Sequence, residues 1–238
     1  MKIEQTFQWS WDWFTKRFSF IALVSLIYMA ATIILGGSVF AFLLGGTVAS
    51  GAILEIFQDS VRHTQLQSFG AAGFLLLSVG GLVLFSLFTY INGTIAYAAK
   101  LVAENKKVSA WNPFKMALSR YFNFFLLGLF SAVLIGLGSI FFVIPGIIAG
   151  IFLTFSFYLV AVEDLDSVGA MTRSFEIVRD NFGPVLGVLF ILFLINLVIG
   201  WVFGWIPLFG QFAGILAMVF SMIVIAAMYK QVNKSKKK

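Results

Sequence analysis

The 238-residue sequence contains no cysteine, a single histidine and few charged residues, which make up 11% of the chain. Without thiols the chain forms no disulfide, no iron–sulfur or thiolate metal site and no cysteine nucleophile. The one histidine, His63, is too little for a multi-histidine metal site. Soluble domains carry about 25% charged residues, so the low charge excludes a soluble enzyme and a charge-rich disordered chain. We predict no catalytic residue, no metal site and no cofactor.

Hydrophobic residues, by contrast, are abundant. They make up 61% of the sequence and include 29 Phe, against about 45–50% apolar residues in ordinary globular chains. The mean hydropathy is +1.00. Because a soluble fold of this size cannot bury so much apolar surface, the composition indicates an integral membrane protein.

Four stretches of the sequence contain no Asp, Glu, Lys or Arg, namely residues 18–54, 63–99, 121–162 and 181–229. A helix that crosses the hydrocarbon core needs about 20 residues, so the last two stretches are each long enough for two crossings. Each has a proline near its middle, Pro145 and Pro207, where a hairpin turn is expected. We predict one all-α domain over residues 1–238, a polytopic bundle of six transmembrane helices arranged as three hairpins. The predicted spans are about 20–44, 69–97, 122–144, 146–162, 184–204 and 207–229.

Basic residues fall almost entirely on one side of this predicted topology. Fifteen of the 16 Lys and Arg residues lie in the N-terminal segment, in the loops after spans two and four, or in the C-terminal tail, and only Arg62 lies on the other side. Lys and Arg are enriched on the cytoplasmic side of membrane proteins, so both termini are predicted to be cytoplasmic. The same charges favour contact with anionic phospholipid heads over contact with nucleic acid.

Apolar side chains recur at helical spacing just before two of the predicted hairpins. The residues on these faces are Phe7, Trp11, Phe14 and Phe18 in the first segment, and Met171, Phe175, Val178 and Phe182 in the second. Asp166 or Ser167 is suited to cap the second helix, and Asn112 with Pro113 is suited to begin a third. Such amphipathic helices lie in the membrane interface with the apolar face toward the lipid. We predict cytoplasmic interfacial helices at these places.

Three short segments before the predicted hairpins, residues 13–18, 117–122 and 177–182, each combine a basic residue with an aromatic one. One explanation is a threefold internal repeat of an interfacial helix and a hairpin. The other is that basic and aromatic residues anchor the ends of any membrane hairpin. The sequence leaves both explanations open.

The predicted spans contain no Asp, Glu, Lys or Arg, although ionisable residues mark proton relays, ion paths and acid–base catalysis inside membranes. We therefore predict that the protein is not an enzyme. Asn92 and Asn196 are polar residues within the spans, and each could line a small polar site or, as we favour, bond to a neighbouring helix. Glycines spaced four residues apart favour close helix contacts. These are Gly146 and Gly150, Gly183 and Gly187, Gly200 and Gly204, and Gly210 and Gly214.

Acidic and basic residues meet at the predicted cytoplasmic end of span four and define a candidate elbow before span five. Its residues are Glu163, Asp164, Arg173 and Arg179, together with Arg120 from the preceding loop. Three carboxylates at this end, Glu163, Asp164 and Asp166, could hold a cation. We favour a cluster of ion pairs that fixes the elbow, because basic and acidic side chains share the same short segment. An arginine that faces the lipid instead would contact phosphate heads.

A family resemblance runs through the segments 136–138, 142–148, 159–164, 171–174 and 178–182. The positions that match the pattern are Pro145, Gly146, Glu163, Arg173, Ser174 and Asn181. Here the chain resembles a broad group of prokaryotic six-helix membrane proteins of unknown function. The group includes the membrane domain attached to some glycerophosphoryl diester phosphodiesterases and the YciC-like inner-membrane proteins. The resemblance implies a six-helix fold with an unsettled role, and we expect no catalytic barrel and no phosphodiester hydrolysis.

These observations lead to an expected function. We expect a non-enzymatic protein of the prokaryotic cytoplasmic membrane that works through lipid or membrane-protein contacts in the cell envelope. Its expected partners are the lipid bilayer, with anionic phospholipid at the cytoplasmic face, and a second membrane protein or an ATPase. The alternative is a permease-like subunit of an ATPase-driven transporter for a hydrophobic or peptide substrate. That subunit would dock its ATPase through the elbow helix, residues 166–180.

Overall fold

The computed structural model describes residues 2–33, 65–106 and 108–235, and these are almost entirely helical. In these ranges the helices are α1 (Ile3–Lys16), α2 (Phe18–Ile33), α3 (Gln65–Ala103), α4 (Asn112–Ser119), α5 (Tyr121–Phe141), α6 (Val143–Phe152), α7 (Ser156–Val162), α8 (Ser167–Asp180), α9 (Phe182–Phe203) and α10 (Pro207–Ser235). No strand occurs among the described residues. The prediction of an all-α fold is confirmed.

Within the described ranges, five helical segments are long and apolar enough to cross a membrane. They are Ser78–Ala103, Tyr121–Ile140, Val143–Val162, Phe182–Phe203 and Leu208–Lys234. A sixth is reached if α1 and α2, which meet at an angle of 78°, are counted as one broken span. These helices indicate a multi-pass membrane protein. Residues 34–44 of the first predicted span, Arg62 and His63 lie outside the described part of the chain.

Contacts between helices divide the chain into two units. The smaller unit, Ala30–Phe88, consists in its described part of the last residues of α2 and the first part of α3. The larger unit joins Met1–Met29 to Thr89–Lys238 and contains the hydrophobic core.

Three amphipathic helices lead directly into apolar helices through joints of the same geometry. The joint residues are Arg17 between α1 and α2, Arg120 between α4 and α5, and Asn181 between α8 and α9. Their φ angles are −119°, −116° and −133°, and their ψ angles are 20°, 19° and 30°. Each joint residue ends one helix, and its carbonyl accepts the first hydrogen bond of the next. This agreement favours the internal repeat over generic anchoring.

The donors of those three hydrogen bonds occupy equivalent places. They are the N–H groups of Ile21, Phe124 and Val185, whose side chains are all completely buried. Each apolar helix is therefore anchored in the core four residues after its joint. The geometry aligns Arg120 with Arg17 and Asn181, whereas the segments compared in the sequence placed Arg120 one position earlier.

The hairpin turns lie next to the predicted prolines and not at them. Between α5 and α6 the chain turns at Phe142, whose backbone is extended, and Pro145 lies in the first turn of α6. Between α9 and α10 the turn takes residues 204–206, and Pro207 is the first residue of α10. Proline is accommodated in the first helical turn because the N–H it lacks would have no partner there. Each proline therefore lies in the first turn of the second helix of its hairpin.

One of the two predicted helix caps is present in the structure, and the other is not. Asp166 caps α8, since its Oδ1 accepts a hydrogen bond from the N–H of Gly169 at 3.1 Å. α4 begins at Asn112 itself, its capping position is Trp111, and no side chain caps it. Pro113 lies in the first turn of α4, where the N–H that it lacks would have no partner.

The span predicted over residues 146–162 is broken, because α6 ends at Phe152 and α7 begins only at Ser156. Ser174 of α8 is fully buried beside this break. Its hydroxyl donates to the carbonyl of Phe152 at 2.6 Å and accepts from the N–H of Phe155 at 3.1 Å. Serine hydroxyls satisfy backbone groups in this way where a membrane helix is interrupted. These two hydrogen bonds therefore hold α8 against the break between α6 and α7.

One end of the larger unit, here called the charged end, brings together both ends of the described chain. The backbone N–H of Lys2 donates to the Gln231 side chain at 2.8 Å. The Arg17 guanidinium donates to the carbonyl of Asn105 at 2.6 Å. The core lies toward this end, and its largest fully buried side chains include Phe124, Leu159, Ile177, Ile223 and Met228.

At the opposite ends of the α5–α6 and α9–α10 hairpins, large apolar side chains are exposed. Among them are Ile140, Phe142, Trp201, Trp205 and Leu208. In water an apolar surface of this kind would promote aggregation. Against lipid chains it is the expected surface of a transmembrane hairpin, which agrees with the composition.

Candidate functional site

An ion pair stands at the start of the elbow. Arg120 Nη2 lies 2.7 Å from Asp164 Oδ1, and Arg120 Nη1 donates to the Asp164 carbonyl at 3.4 Å. Asp164 has a positive φ of 59°, a conformation that Asp adopts more readily than most residues. The aspartate is largely exposed, so the pair contributes little stability. Its effect is geometric, because it ties the α4–α5 joint to the segment that follows α7.

Glu163, the preceding residue, is held by groups from two other helices. The Tyr229 hydroxyl of α10 donates to Glu163 Oε1 at 2.6 Å, and Arg173 Nε of α8 lies 3.7 Å from Glu163 Oε2. Arg173 also donates to Glu176 at 3.1 Å. The side chains of Glu163 and Arg173 are only 26% and 25% exposed, so solvent screens them less than a surface pair. The network joins α7, α8 and α10 at the charged end.

Arg179 stands apart from this network. It is exposed, and its ion pair is with its neighbour Asp180 at 3.4 Å. Four of the five predicted elbow residues therefore lie in two adjacent pairs, and the fifth does not join them. Among the described residues no group of three or more His, Asp or Glu side chains could hold a metal ion.

Two polar partners of the elbow were missed by sequence reasoning. Tyr229 is 66 residues from the Glu163 carboxylate that it bonds, and a tyrosine at the edge of a charge-free stretch gives no sign of such a partner. Lys100 donates to the carbonyl of Ala161 at 2.7 Å and joins α3 to α7. The sequence places Lys100 in a basic loop, because the predicted span ends at residue 97.

α1 packs most closely on α10 through small polar side chains, and its aromatic stripe (Phe7, Trp11, Phe14 and Phe18) is less buried. Thr6 and Ser10 are completely buried. Phe7 and Phe14 are half-buried, and Trp11 is 62% exposed. The predicted apolar face therefore lies beside the packing face, about a quarter-turn around the helix.

α8, like α1, packs through small side chains and leaves its aromatic ones partly exposed. The residues it buries are Ser167, Ala170, Ser174, Ile177 and Val178. Of the predicted face, Val178 is buried, whereas Phe175 and Phe182 are 46% and 40% exposed. Small residues let an amphipathic helix approach the bundle closely, and the larger side chains are then left to contact lipid.

An apolar cavity of about 560 Å³ lies between the aromatic stripe of α1 and the helices α9 and α10. Its walls are aliphatic and aromatic side chains, among them Trp11, Phe14, Phe203, Phe212, Ala213 and Phe220. Phe220 meets the rings of Phe14 and Trp11 edge-on, with centroid distances of 5.4 and 6.5 Å. A cavity of this size and lining suits a hydrocarbon chain.

The other side of α1 faces the basic end of α10. Lys230 Nζ lies 4.8 Å from the centroid of the Trp13 ring, and Lys234 Nζ lies 4.8 Å from that of Trp9. Cation–π contacts of this kind hold an ammonium group over a ring while its N–H bonds stay available. α1 thus has an apolar cavity along one side and a basic surface along the other.

The polar residues predicted within the spans are both in helices. Asn196 Nδ2 donates to Ser221 Oγ at 3.2 Å, which links α9 to α10, and to the Leu192 carbonyl at 2.8 Å. Asn92 is half-buried in α3. For Asn196 the geometry is that of a helix-packing contact.

The predicted glycine pairs differ in what surrounds them. A Cβ at Gly146 would overlap Ser139 Oγ, and one at Gly187 would lie 3.1 Å from Ile3 Cδ1. At Gly210 it would overlap the Phe203 carbonyl. At Gly204 it would overlap the carbonyl of Gly200. The remaining members have less neighbouring contact: Gly150 is at an ordinary distance, and Gly183, Gly200 and Gly214 face open space. Close approach is therefore needed at one glycine of a pair, not at both.

Searches of curated proteins and of solved structures found no match to the chain. A protein-family comparison matches residues 19–234 to a family described as Domain of unknown function (DUF7847). Because the match covers all the apolar helices and the elbow, the chain belongs to the DUF7847 family.

Proposed function

We propose that this protein is a non-enzymatic membrane protein that holds phospholipid, with its charged end at the cytoplasmic leaflet of a prokaryotic plasma membrane. The observation that carries the proposal is the apolar cavity beneath α1. It opens among helices that are themselves apolar enough to cross the bilayer. Its occupant in this proposal is an acyl chain, since lipid is the apolar molecule that surrounds such helices.

The surroundings of the cavity support this choice. Lys230 and Lys234 lie along the opposite side of α1, so a basic surface stands close to the apolar one. A phospholipid has the same division, with an anionic head joined to apolar chains. Basic residues near a membrane surface attract anionic lipid by about 1 kcal/mol each. The proposed partner is therefore an anionic phospholipid. We extend the proposal to a role in the cell envelope, as the resemblance of the sequence to prokaryotic six-helix membrane proteins implies.

The test is to fill the cavity. Ala213 lines it and is half-buried, so Ala213→Phe places a ring where an acyl chain would lie. Ala132→Phe, on the exposed side of α5, is the matched control. Each full-length variant is purified in mild detergent, and the phospholipid that accompanies it is measured by native mass spectrometry. We expect Ala213→Phe to lose bound phospholipid and Ala132→Phe to retain it. Equal retention by both variants and the wild type would refute the proposal.

The alternative, a permease-like subunit driven by a separate ATPase, is favoured by one observation. Val168 and Phe175 of α8 are 57% and 46% exposed at the elbow. They give a docking partner an apolar surface to bury. A stoichiometric ATPase that accompanies the wild-type protein, and is lost with Val168→Asp but not with Leu118→Asp on exposed α4, would support this alternative.

A further inference from the structure

A second cavity, distinct from the apolar one, lies at the charged end between α3, α7 and α10. This polar groove has a volume of about 540 Å³. Its polar lining residues are Glu104, Tyr158, Tyr229, Lys230, Asn233 and Lys234. The groove lies where the backbone leaves the apolar helices, which is the depth of lipid heads and of water.

The two lysines of the polar groove are held in place without being neutralised. Their ammonium groups lie over the rings of Trp9 and Trp13 at 4.8 Å. Among the described residues, no carboxylate lies within ion-pair distance of either one. Two positioned lysines with free N–H bonds can bind an oxyanion, for which Lys acts as a point charge.

Tyr158 adds an independent observation. Its side chain is only 3% exposed, and its ring packs edge-on against that of Tyr229 at 5.5 Å. Its hydroxyl makes no hydrogen bond within the described part of the chain, although it lines the polar groove. The hydroxyl therefore borders the groove with its hydrogen-bonding capacity unused by the described chain, and a ligand in the groove would give it a partner.

The acidic residues near the groove do not neutralise the positive charge of its two lysines. Glu104 Oε2 lies 2.7 Å from Lys106 Nζ, so its charge is offset by a neighbour. Glu163 accepts the hydrogen bond from Tyr229 and lies beside Arg173. The unpaired charge facing the groove is therefore positive.

We propose that the polar groove binds a phosphate group, with Lys230 and Lys234 as its cations and the Tyr158 hydroxyl as a hydrogen-bond donor. The phosphate has two possible sources, the head of an anionic phospholipid or a free phosphate in the cytoplasm. The lipid form of this inference rests on the proposed function, whereas the free-phosphate form does not.

The experiment uses the full chain in a non-ionic detergent and two separate probes at constant ionic strength. One probe is inorganic phosphate, and the other is a short-chain, water-soluble phosphatidylglycerol. The variants are Lys230→Gln with Lys234→Gln, and Tyr158→Phe. The control is Lys16→Gln with Lys115→Gln, which removes the same charge from exposed positions outside the groove.

We expect the double lysine variant to raise the dissociation constant of a binding probe at least about tenfold, since each charge-assisted hydrogen bond is worth roughly that factor. Tyr158→Phe should raise it about threefold or more without lowering thermal stability, because the hydroxyl has no partner to lose. The control should bind as the wild type does.

The two sources give different results. Groove-dependent binding of phosphatidylglycerol alone identifies a lipid head, and groove-dependent binding of inorganic phosphate identifies a free phosphate. If neither probe binds, or if the groove variants bind as the control does, the inference is wrong. Ala213→Phe separates this result from the proposed function, because filling the apolar cavity should leave binding of inorganic phosphate unchanged.

Discussion

Ser174 supplies both partners that the break between α6 and α7 leaves open. Replacing it with alanine would leave the Phe152 carbonyl and the Phe155 N–H buried without hydrogen bonds. Each such group costs about 1–3 kcal/mol, so we expect Ser174→Ala to lower the free energy of unfolding by about 2 kcal/mol or more. Reversible unfolding in detergent would measure the change.

Ser156 is the matched control for this prediction. It is the first residue of α7, directly after the break. It is also completely buried, and its hydroxyl has no hydrogen-bond partner. Ser156→Ala removes an unsatisfied polar group and should leave stability unchanged or raise it. If both substitutions destabilise equally, the effect belongs to volume and not to the hydrogen bonds of Ser174.

Ser174 also shows what the sequence could and could not predict. A helix over the elbow, and the Asp166 cap that begins it, follow from local spacing and composition. The face that packs against the bundle does not follow from them. The aromatic periodicity predicts that Phe175 is buried, whereas the structure buries Ser174. Which face packs depends on how closely two helices approach, and that depends on residues far away in the chain. The same limit applies to Tyr158 and Tyr229 in the polar groove.

Among the elements, the α5–α6 hairpin places its two predicted glycines in different surroundings. A Cβ at Gly146 would overlap Ser139 Oγ and lie 3.0 Å from the Ile135 carbonyl. Gly150, one turn later in α6, would meet only Ile135 Cδ1 at 3.9 Å. We expect Gly146→Ala to cost about 1–3 kcal/mol from overpacking.

Gly150→Ala tests whether position and not glycine content matters. Alanine is the better helix former by roughly 1 kcal/mol, so this substitution should be neutral or stabilising. Thermal unfolding of both variants in the same detergent gives the comparison. A loss at Gly150 equal to that at Gly146 would contradict the packing described for the hairpin.

The repeated joints belong to this scale as well. The sequence offered repetition and generic anchoring as equal explanations, since basic and aromatic residues satisfy both. The backbone angles at Arg17, Arg120 and Asn181 distinguish them. Two arginines and an asparagine share little chemistry, so the equivalence is visible in dihedral angles and hydrogen bonds but not in residue type.

For the whole molecule, the topology can be tested directly because the chain contains no cysteine. Thr15, Ser119 and Asp180 are exposed and stand just before the three joints. Phe142 and Trp205 are exposed at the hairpin turns. We expect single cysteines at the first three positions to react with a membrane-impermeant maleimide only after permeabilisation. Cysteines at the two turns should react in intact cells.

Two outcomes would contradict different parts of this prediction. Complete reversal of the labelling would keep the arrangement of helices and overturn the cytoplasmic placement of the charged end. Mixed labelling within either set would overturn the arrangement itself. The wild-type chain, which cannot be labelled, is the control.

The order of the helices also bears on how the protein is made. Each joint is preceded by an amphipathic helix and followed by an apolar one, as α8 with its 14 residues precedes α9. At translation rates of about 5–20 residues per second, α8 leaves the ribosome roughly one to three seconds ahead of α9. It can settle on the membrane surface in that interval and hold the nascent chain at its joint. The next apolar helix then enters from a side already chosen, so insertion proceeds one hairpin at a time from the same face.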